Sequence, residues 1–195
     1  MDSGMYRNYG KEVMGMSSMN RLLYCLSGLM LTLAASSLAA QTCQTEAEIP
    51  STTPSSRFTD HGDGTVTDGK TGLMWMKCPL GQSGNDCATG SATTYTWQGA
   101  LEVADGYSFA GYTDWRLPNI KELRSIVEQR CYDPAINLEI FPATSSLSHV
   151  WSASPNVSDS YTAWNVYFFN GYTYRYYRDD SLQVRLVRFG TPSTE

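Results

Sequence analysis

Positive charge is scarce and scattered in this chain. Its 195 residues include 14 Lys and Arg against 19 Asp and Glu, which gives a formal net charge of -5 at pH 7. The basic residues form no run or stripe along the sequence. Because nucleic-acid binding depends on clustered positive charge, we exclude nucleic acid as a partner.

Residues that catalyse reactions or hold metals are also few. The histidines are His61 and His149, and the chain has no Cys-x-x-Cys, His-x-x-x-His or Gly-x-Ser-x-Gly spacing. Zinc needs clustered ligands and a serine nucleophile needs a positioned base, for which His149 is the candidate. Asp179 and Asp180 are adjacent, so on a strand they point to opposite faces and do not flank one bond. We therefore expect no enzyme activity, no bound metal and no cofactor.

Long hydrophobic runs are missing except near the N-terminus. Residues 21–40 have a basic start, an apolar run and a small-residue end, with Ser37-x-Ala39 as the best cleavage pattern. This pattern predicts a secretory signal peptide over residues 1–40, with Met19 as an alternative start. A transmembrane anchor is the alternative, but the run is short for a bilayer span and no positive cluster follows it. We expect a secreted, periplasmic or surface protein without a membrane segment after cleavage.

Secretion determines how the cysteines are interpreted. The mature chain keeps four of them, Cys43, Cys78, Cys87 and Cys131, and none follows Cys131. An even number in an oxidising compartment predicts two disulfides, for which three pairings exist. Cys78 and Cys87 flank a short glycine-rich loop and form the natural local pair, which leaves Cys43 to pair with Cys131.

The order of local patterns predicts an α+β domain over residues 58–190. Residues 41–57 are rich in Thr, Ser, Pro and Glu and predict a flexible tail. Thr96 is the expected N-cap of a first helix, and Asn119 with Glu122 predicts a capping box for a second helix over residues 120–129. Asn170-Gly171 indicates a hairpin. Alternation of apolar and polar residues predicts strands near 65–68, 73–77, 150–154, 162–169, 172–178 and 183–188.

Three aspartates suggest a calcium site but fit turns better. Asp60, Asp63 and Asp68 stand in glycine-rich segments, and their spacing does not match a twelve-residue calcium loop with its terminal Glu. We therefore interpret them as Asp-Gly turn residues and expect ligand recognition without calcium.

The C-terminal region interleaves two kinds of residue. Framework residues such as Trp151, Val166 and Leu186 alternate with Tyr, Asn, Asp, Ser and Arg. A strand face rich in Tyr with short polar residues is typical of adaptable recognition surfaces. The alternative is an antiparallel sheet with ordinary exposed tyrosines, because aromatic residues favour strands.

Five motifs in a fixed order are DGTVTDGKTGLMW at 63–75, TWQGAL at 96–101, GYTDWRLPNIKELRSIV at 111–127, VWSASP at 150–155 and VRLVR at 184–188. Together they resemble the Lcl C-terminal domain family of secreted bacterial domains. The similarity covers residues 58–189. It implies a C-type-lectin-like fold related to formylglycine-generating enzymes, with a non-enzymatic binding or adhesive role. Those enzymes depend on a pair of cysteines late in the chain, which this sequence lacks.

The resemblance also implies a recognition surface. Some members of the family resemble targets of diversity-generating retroelements, which randomise adenine-rich codons near the end of a gene. The predicted ligand-binding residues, which face an unknown glycan or protein at the cell surface, are Tyr161, Tyr167, Phe169, Tyr172, Tyr174, Tyr176, Tyr177, Asp179, Asp180 and Ser181. The alternative is a structural envelope protein. We expect Arg116, Arg185 and Arg188 to have structural roles, with Arg116 bonded to a carboxylate or to backbone carbonyls.

Overall fold

Residues 41–190 are described by the structure, a computed structural model, and the predicted signal peptide lies outside them. Two α-helices, α1 Trp97–Ala104 and α2 Ile120–Ser125, accompany short strands, which confirms the α+β class. Within residues 41–190, neither helix has the length and apolar character needed to cross a membrane. In chain order the strands are β1 Thr42–Cys43, β2 Phe58–Asp60, β3 Thr65–Asp68, β4 Leu73–Met76, β5 Gln82–Ser83, β6 Thr89–Gly90, β7 Thr94–Tyr95, β8 Cys131–Tyr132, β9 His149–Pro155, β10 Thr162–Tyr167, β11 Tyr172–Tyr177, β12 Leu182–Gln183 and β13 Val187–Phe189.

Two sheets carry most of the structure. The first is antiparallel with the order β13-β4-β3-β2, and the second has the order β11-β10-β9-β12-β7. The predicted strand over residues 183–188 is divided between them, since β12 ends at Gln183 and β13 begins at Val187. The intervening residues Val184, Arg185 and Leu186 are buried as the chain crosses from one sheet to the other. A continuous strand is excluded because each half completes a different sheet.

Successive side chains of β9 and β10 point to opposite faces of the second sheet and enter two different cores. Val150 and Val166 face a core that includes α2, and Trp151 and Ala163 face a core that includes α1. The two faces of β9 and β10 are therefore both covered near their centre. The arrangement is consistent with the C-type-lectin-like fold that the resemblance implies.

The predicted helix caps are confirmed. The Thr96 hydroxyl accepts from the N–H of Gly99 at 3.2 Å, and Asn119 with Glu122 forms a capping box. However, α2 ends at Ser125 and not at residue 129. Its last turn is replaced by a bridge between Val127 and Ile136, which keeps Val127 in the core.

Both predicted disulfides are present. Cys78 is bonded to Cys87, and Cys43 is bonded to Cys131 across a sequence separation of 88 residues. The second bond joins β1 to β8, which also pair as strands. The N-terminal end of the described chain is thus covalently attached to the region that follows α2.

Residues 41–57 were expected to form a flexible tail, and the structure shows them attached to the domain as a strap: residues 42–50 are exposed and held through β1, and residues 51–57 pack against the domain. The side chain of Glu128 accepts hydrogen bonds from the Ser51 hydroxyl at 2.6 Å and from the N–H groups of Thr52 and Thr53 at 3.0 and 2.8 Å. Thr53 is completely buried. The composition of the strap hides this attachment because its binding partner lies about 75 residues further along the chain.

Glu128 should make stability depend on pH. Burial alone would raise the pKa of this carboxyl, but the hydrogen bonds from Ser51, Thr52, Thr53 and Arg130 outweigh burial and hold the pKa at about 2, below the ordinary 4.5. A lowered folded-state pKa stabilises the protein above pH 4.5, and this stabilisation is lost as the pH falls towards 2. We expect Glu128→Gln to reduce the free energy of unfolding by about 3 kcal/mol at pH 7.

Denaturant unfolding at pH 7 and at pH 3 measures this effect. The deficit of Glu128→Gln should be smaller at pH 3 than at pH 7. Glu102→Gln, at an exposed position of α1, is the control and should stay within about 0.5 kcal/mol of the unmodified protein. A deficit of the same size at both pH values would contradict the role given to the ionised carboxylate.

Candidate ligand-binding surface

The β10–β11 hairpin brings four of the predicted binding residues to one side of the sheet. Its register pairs Tyr167 with Tyr172, Asn165 with Tyr174 and Ala163 with Tyr176. Side chains of directly paired residues lie on the same face. Tyr167 and the three tyrosines of β11 at alternate positions therefore share a face, on the side of the sheet that covers α1.

His149 lies at the centre of this group. Its ring stacks on Tyr167 with a centroid distance of 4.1 Å and an angle of 3°, and Tyr176 lies 4.6 Å away on a tilted plane. Tyr174 approaches edge-on at 6.0 Å. His149 begins β9, directly opposite Tyr167 in the register, which explains the stacking.

Hydrogen bonds determine which nitrogen of His149 carries the proton. The Asn165 amide donates through Nδ2 to the carbonyl of Tyr174 at 3.1 Å, so its Oδ1 is the acceptor that lies 2.9 Å from His149 Nδ1. Nδ1 is therefore the donor, and in the neutral ring Nε2 accepts. The hydroxyl of Tyr176 lies 3.3 Å from Nε2. Both ring nitrogens of His149 are thus engaged by neighbouring side chains, which fixes the ring at the centre of the cluster.

Phe169 extends the cluster towards the tip of the hairpin. Its ring lies 5.8 Å from Tyr167 and 6.3 Å from Tyr132 of β8. We call His149, Tyr167, Phe169, Tyr172, Tyr174 and Tyr176 the aromatic face. Tyr172 is 66% exposed, and Phe169 and Tyr174 are each more than one-third exposed, so the face is accessible to a ligand.

The other predicted residues lie outside this group of rings. Tyr177 follows Tyr176 directly, so it points to the opposite side of the strand. Tyr161 precedes β10 and is 76% exposed. Asp179, Asp180 and Ser181 occupy the turn after β11, where Asp180 accepts from the N–H of Tyr177 at 3.0 Å.

Sequence reasoning missed three contributors to the surface. His149 was considered only as a base, although it directly precedes a predicted strand at alternate spacing from Trp151. Asn165 alternates with Tyr167 in the same way and is fully buried beneath the rings. For Tyr132 the sequence holds no signal, because its contact with Phe169 joins residues that are far apart in the chain.

The hairpin is fixed at both ends. At its base, the carbonyl of Arg178 accepts from the N–H of Trp97 at 2.8 Å, and the guanidinium lies 4.3 Å from the centroid of the Trp97 ring. At its tip, the N–H groups of Asp133 and Ala135 donate to the carbonyls of Phe169 and Phe168 at 2.8 and 2.6 Å. These contacts hold the aromatic face against α1 on one side and the region after α2 on the other.

The predicted turn aspartates are engaged in turns. Asp60 accepts from the N–H of Gly62 at 2.9 Å, and Asp63 accepts from the N–H of Thr65 at 3.0 Å. Asp68 forms a salt bridge with Arg57. Across residues 41–190 the structure shows no group of three or more His, Cys, Asp or Glu side chains that could hold a metal ion.

Comparison with family models gives a match over residues 64–188 to the Lcl C-terminal domain. The match covers more than half of the chain and includes the aromatic face. The chain belongs to the Lcl C-terminal domain family. No curated protein sequence is significantly similar to it.

Three arginines in the motifs of this Lcl C-terminal domain have the structural roles that the sequence predicts. Arg116 donates to both carboxylate oxygens of Glu122, at 2.8 and 2.7 Å. Arg188 donates to Asp114 at 2.7 Å. Arg185 is buried and bonds to backbone carbonyls. The family motifs therefore maintain the scaffold. The tyrosines and Phe169 of the aromatic face lie on the hairpin between VWSASP and VRLVR, and His149 directly precedes VWSASP.

Gly171 allows the tip of the hairpin to approach the core. Its φ of +74° is left-handed, and a Cβ at this position would lie 2.4 Å from Cγ1 of Val127. Gly62 has the same φ with nothing within 4 Å and is a matched control. We expect Gly62→Ala to cost about 1 kcal/mol through backbone strain alone, and Gly171→Ala to cost roughly 2 to 4 kcal/mol because steric overlap adds to it.

Urea denaturation of the two variants measures the difference. Gly171→Ala should also alter the near-ultraviolet circular dichroism, because the rings of Tyr167 and Phe169 depend on the position of the tip. Equal destabilisation of the two variants would contradict close packing of the tip against Val127.

Proposed function

We propose that this protein is a secreted, non-enzymatic ligand-binding or adhesion module that recognises a glycan or protein through its aromatic face. The observation that carries the proposal is the cluster of rings around His149, which is partly open to solvent and attached at both ends of the hairpin. An aromatic cluster of this kind is distinct from isolated exposed tyrosines, which need no function. The predicted signal peptide and the two disulfides support secretion.

The chemistry of the face suits broad recognition. Tyrosine combines a large apolar ring with a hydroxyl, and it loses little conformational entropy on binding because it has two side-chain torsions. The tyrosine hydroxyls and the amide of Asn170, 3.4 Å from the hydroxyl of Tyr174, add directional hydrogen bonds. None of the six residues is a carboxylate, Lys or Arg, so contact with a neutral glycan or a protein surface requires no burial of a permanent charge.

The disposition of reactive residues supports a binding role over catalysis. Cys43, Cys78, Cys87 and Cys131 are all disulfide-bonded, so they offer no thiol pair of the kind that formylglycine-generating enzymes use. His149 is bonded to an amide oxygen and a tyrosine hydroxyl, and neither is an activated serine nucleophile.

Paired variants test the role of the aromatic face. Tyr172 and Tyr177 are both 66% exposed but lie on opposite faces of β11. We expect the double variant Tyr172→Ser with Tyr174→Ser to weaken binding to its target by about tenfold or more, because it removes two exposed rings from the face. The matched control is Tyr161→Ser with Tyr177→Ser, which should retain binding.

Arrays of glycans and of bacterial surface proteins provide the binding measurement. Both double variants should remain folded at the assay temperature, checked by circular dichroism, with a small loss of stability in the first because Tyr174 packs against His149 and Tyr167. Equal loss in the two double variants, or full binding by the first, would contradict recognition through the aromatic face and would favour a structural envelope role.

We further propose that retroelement diversification acts on this surface. Burial supports the division into framework and variable positions: Val166, Phe168 and Leu186 are fully buried, whereas Tyr161 and Tyr172 are exposed and tolerate replacement without repacking. Sequencing the DNA beside the gene should reveal a near-copy of the segment for residues 164–188 that differs mainly at adenines, next to a reverse transcriptase. Flanking DNA without such a copy would remove diversification and leave a fixed binding surface.

A further inference from the structure

The outer edge of the second sheet is formed by β11. In the order β11-β10-β9-β12-β7, no described strand pairs with the side of β11 that faces away from β10. The N–H of Arg178 donates to the carbonyl of Tyr161 at 2.9 Å, and hydrogen-bonded pairs alternate along antiparallel strands. Thr173, Arg175 and Tyr177 therefore direct their backbone N–H and C=O groups outwards.

The outward backbone groups are hydrogen-bonded at one end of this edge and unbonded along the rest of it. The N–H of Tyr177 donates to Asp180 at 3.0 Å, and its carbonyl accepts from the N–H of Asp180 at 2.9 Å. The backbone groups of Thr173 and Arg175 have no hydrogen-bond partner among residues 41–190. A row of free donors and acceptors on a sheet edge is a template for the addition of another strand.

The charge on the edge favours a different protein over a second copy of this chain. Arg175 is exposed and forms no ion pair within the described part of the chain. Two copies paired antiparallel about Tyr174 would place their Arg175 side chains diagonally next to each other, where like charges repel. A foreign strand with a carboxylate opposite Arg175 would be attracted instead.

We propose that the edge of β11 binds an extended segment of another protein as an added strand, with an acidic residue beside Arg175. This inference rests on the proposed function, because the added strand would place alternate side chains next to Tyr172 and Tyr174 of the aromatic face. The backbone at residues 173 and 175 supplies sequence-independent hydrogen bonds, and the rings and Arg175 supply selectivity.

Selection from a displayed library of random linear peptides against the folded domain tests the inference. The enriched peptides are then measured against Thr173→Pro, which removes the outward N–H without breaking a bond to β10, and against Thr173→Val, which keeps that N–H. We expect binding to fall by about tenfold or more in Thr173→Pro and to be retained in Thr173→Val. Arg175→Glu leaves the backbone unchanged and should weaken the binding of peptides that carry an acidic residue.

The outcomes distinguish peptide binding at the β11 edge from binding at the aromatic face. Peptides that bind Thr173→Pro normally but fail to bind Tyr172→Ser would overturn strand addition and leave recognition by the aromatic face intact. Peptides that lose binding to Thr173→Pro but not to Tyr172→Ser would support the edge and count against the face. Failure to enrich any peptide, or a dimer in solution that Thr173→Pro dissociates, would overturn the proposal.

Discussion

The structure depends on one buried cation, Arg185. Arg185 is 1% exposed. Its guanidinium donates through Nη1 to the carbonyls of Met76, at 3.0 Å, and Lys77, and through Nη2 to the hydroxyl of Thr144 at 2.8 Å. No carboxylate in the described part of the chain pairs with it, and burial lowers its pKa to about 9. Backbone carbonyls and the ring of Phe141, 4.9 Å away, offset the cost of burying the charge.

This arrangement determines where the aromatic face can lie. Arg185 stands at the point where the chain leaves the second sheet for the first, so its bonds to the end of β4 fix the two sheets relative to each other. With the crossing fixed, β9 and β10 are covered on both faces near their centre. Only beyond this doubly covered region do His149 and the tyrosines of β11 emerge on an open surface. The aromatic face thus lies at the end of a packed sheet.

Local signals in the sequence predicted most of the fold and part of the surface. The Thr96 cap, the Asn119 capping box, the local disulfide and the hairpin at Asn170-Gly171 each depend on residues close together in the chain. Two longer-range features were missed. The hydrogen bonds from the strap to Glu128 depend on side chains that are distant in the chain, and the stacking of His149 on Tyr167 depends on strand register. Alternation places Tyr176 and Tyr177 on opposite faces of β11, but it does not show which face carries the cluster, because that depends on how the sheet packs against α1.

Photocrosslinking in living cells tests the central claim most directly, because it captures a ligand whose identity is still unknown. A benzophenone amino acid is placed in the full-length chain at position 172 on the aromatic face, or at position 177, which has equal exposure on the opposite side. Recognition by the aromatic face predicts a specific adduct at position 172 and little at position 177. Adducts of equal yield at the two positions, or an adduct at position 177 alone, would contradict it.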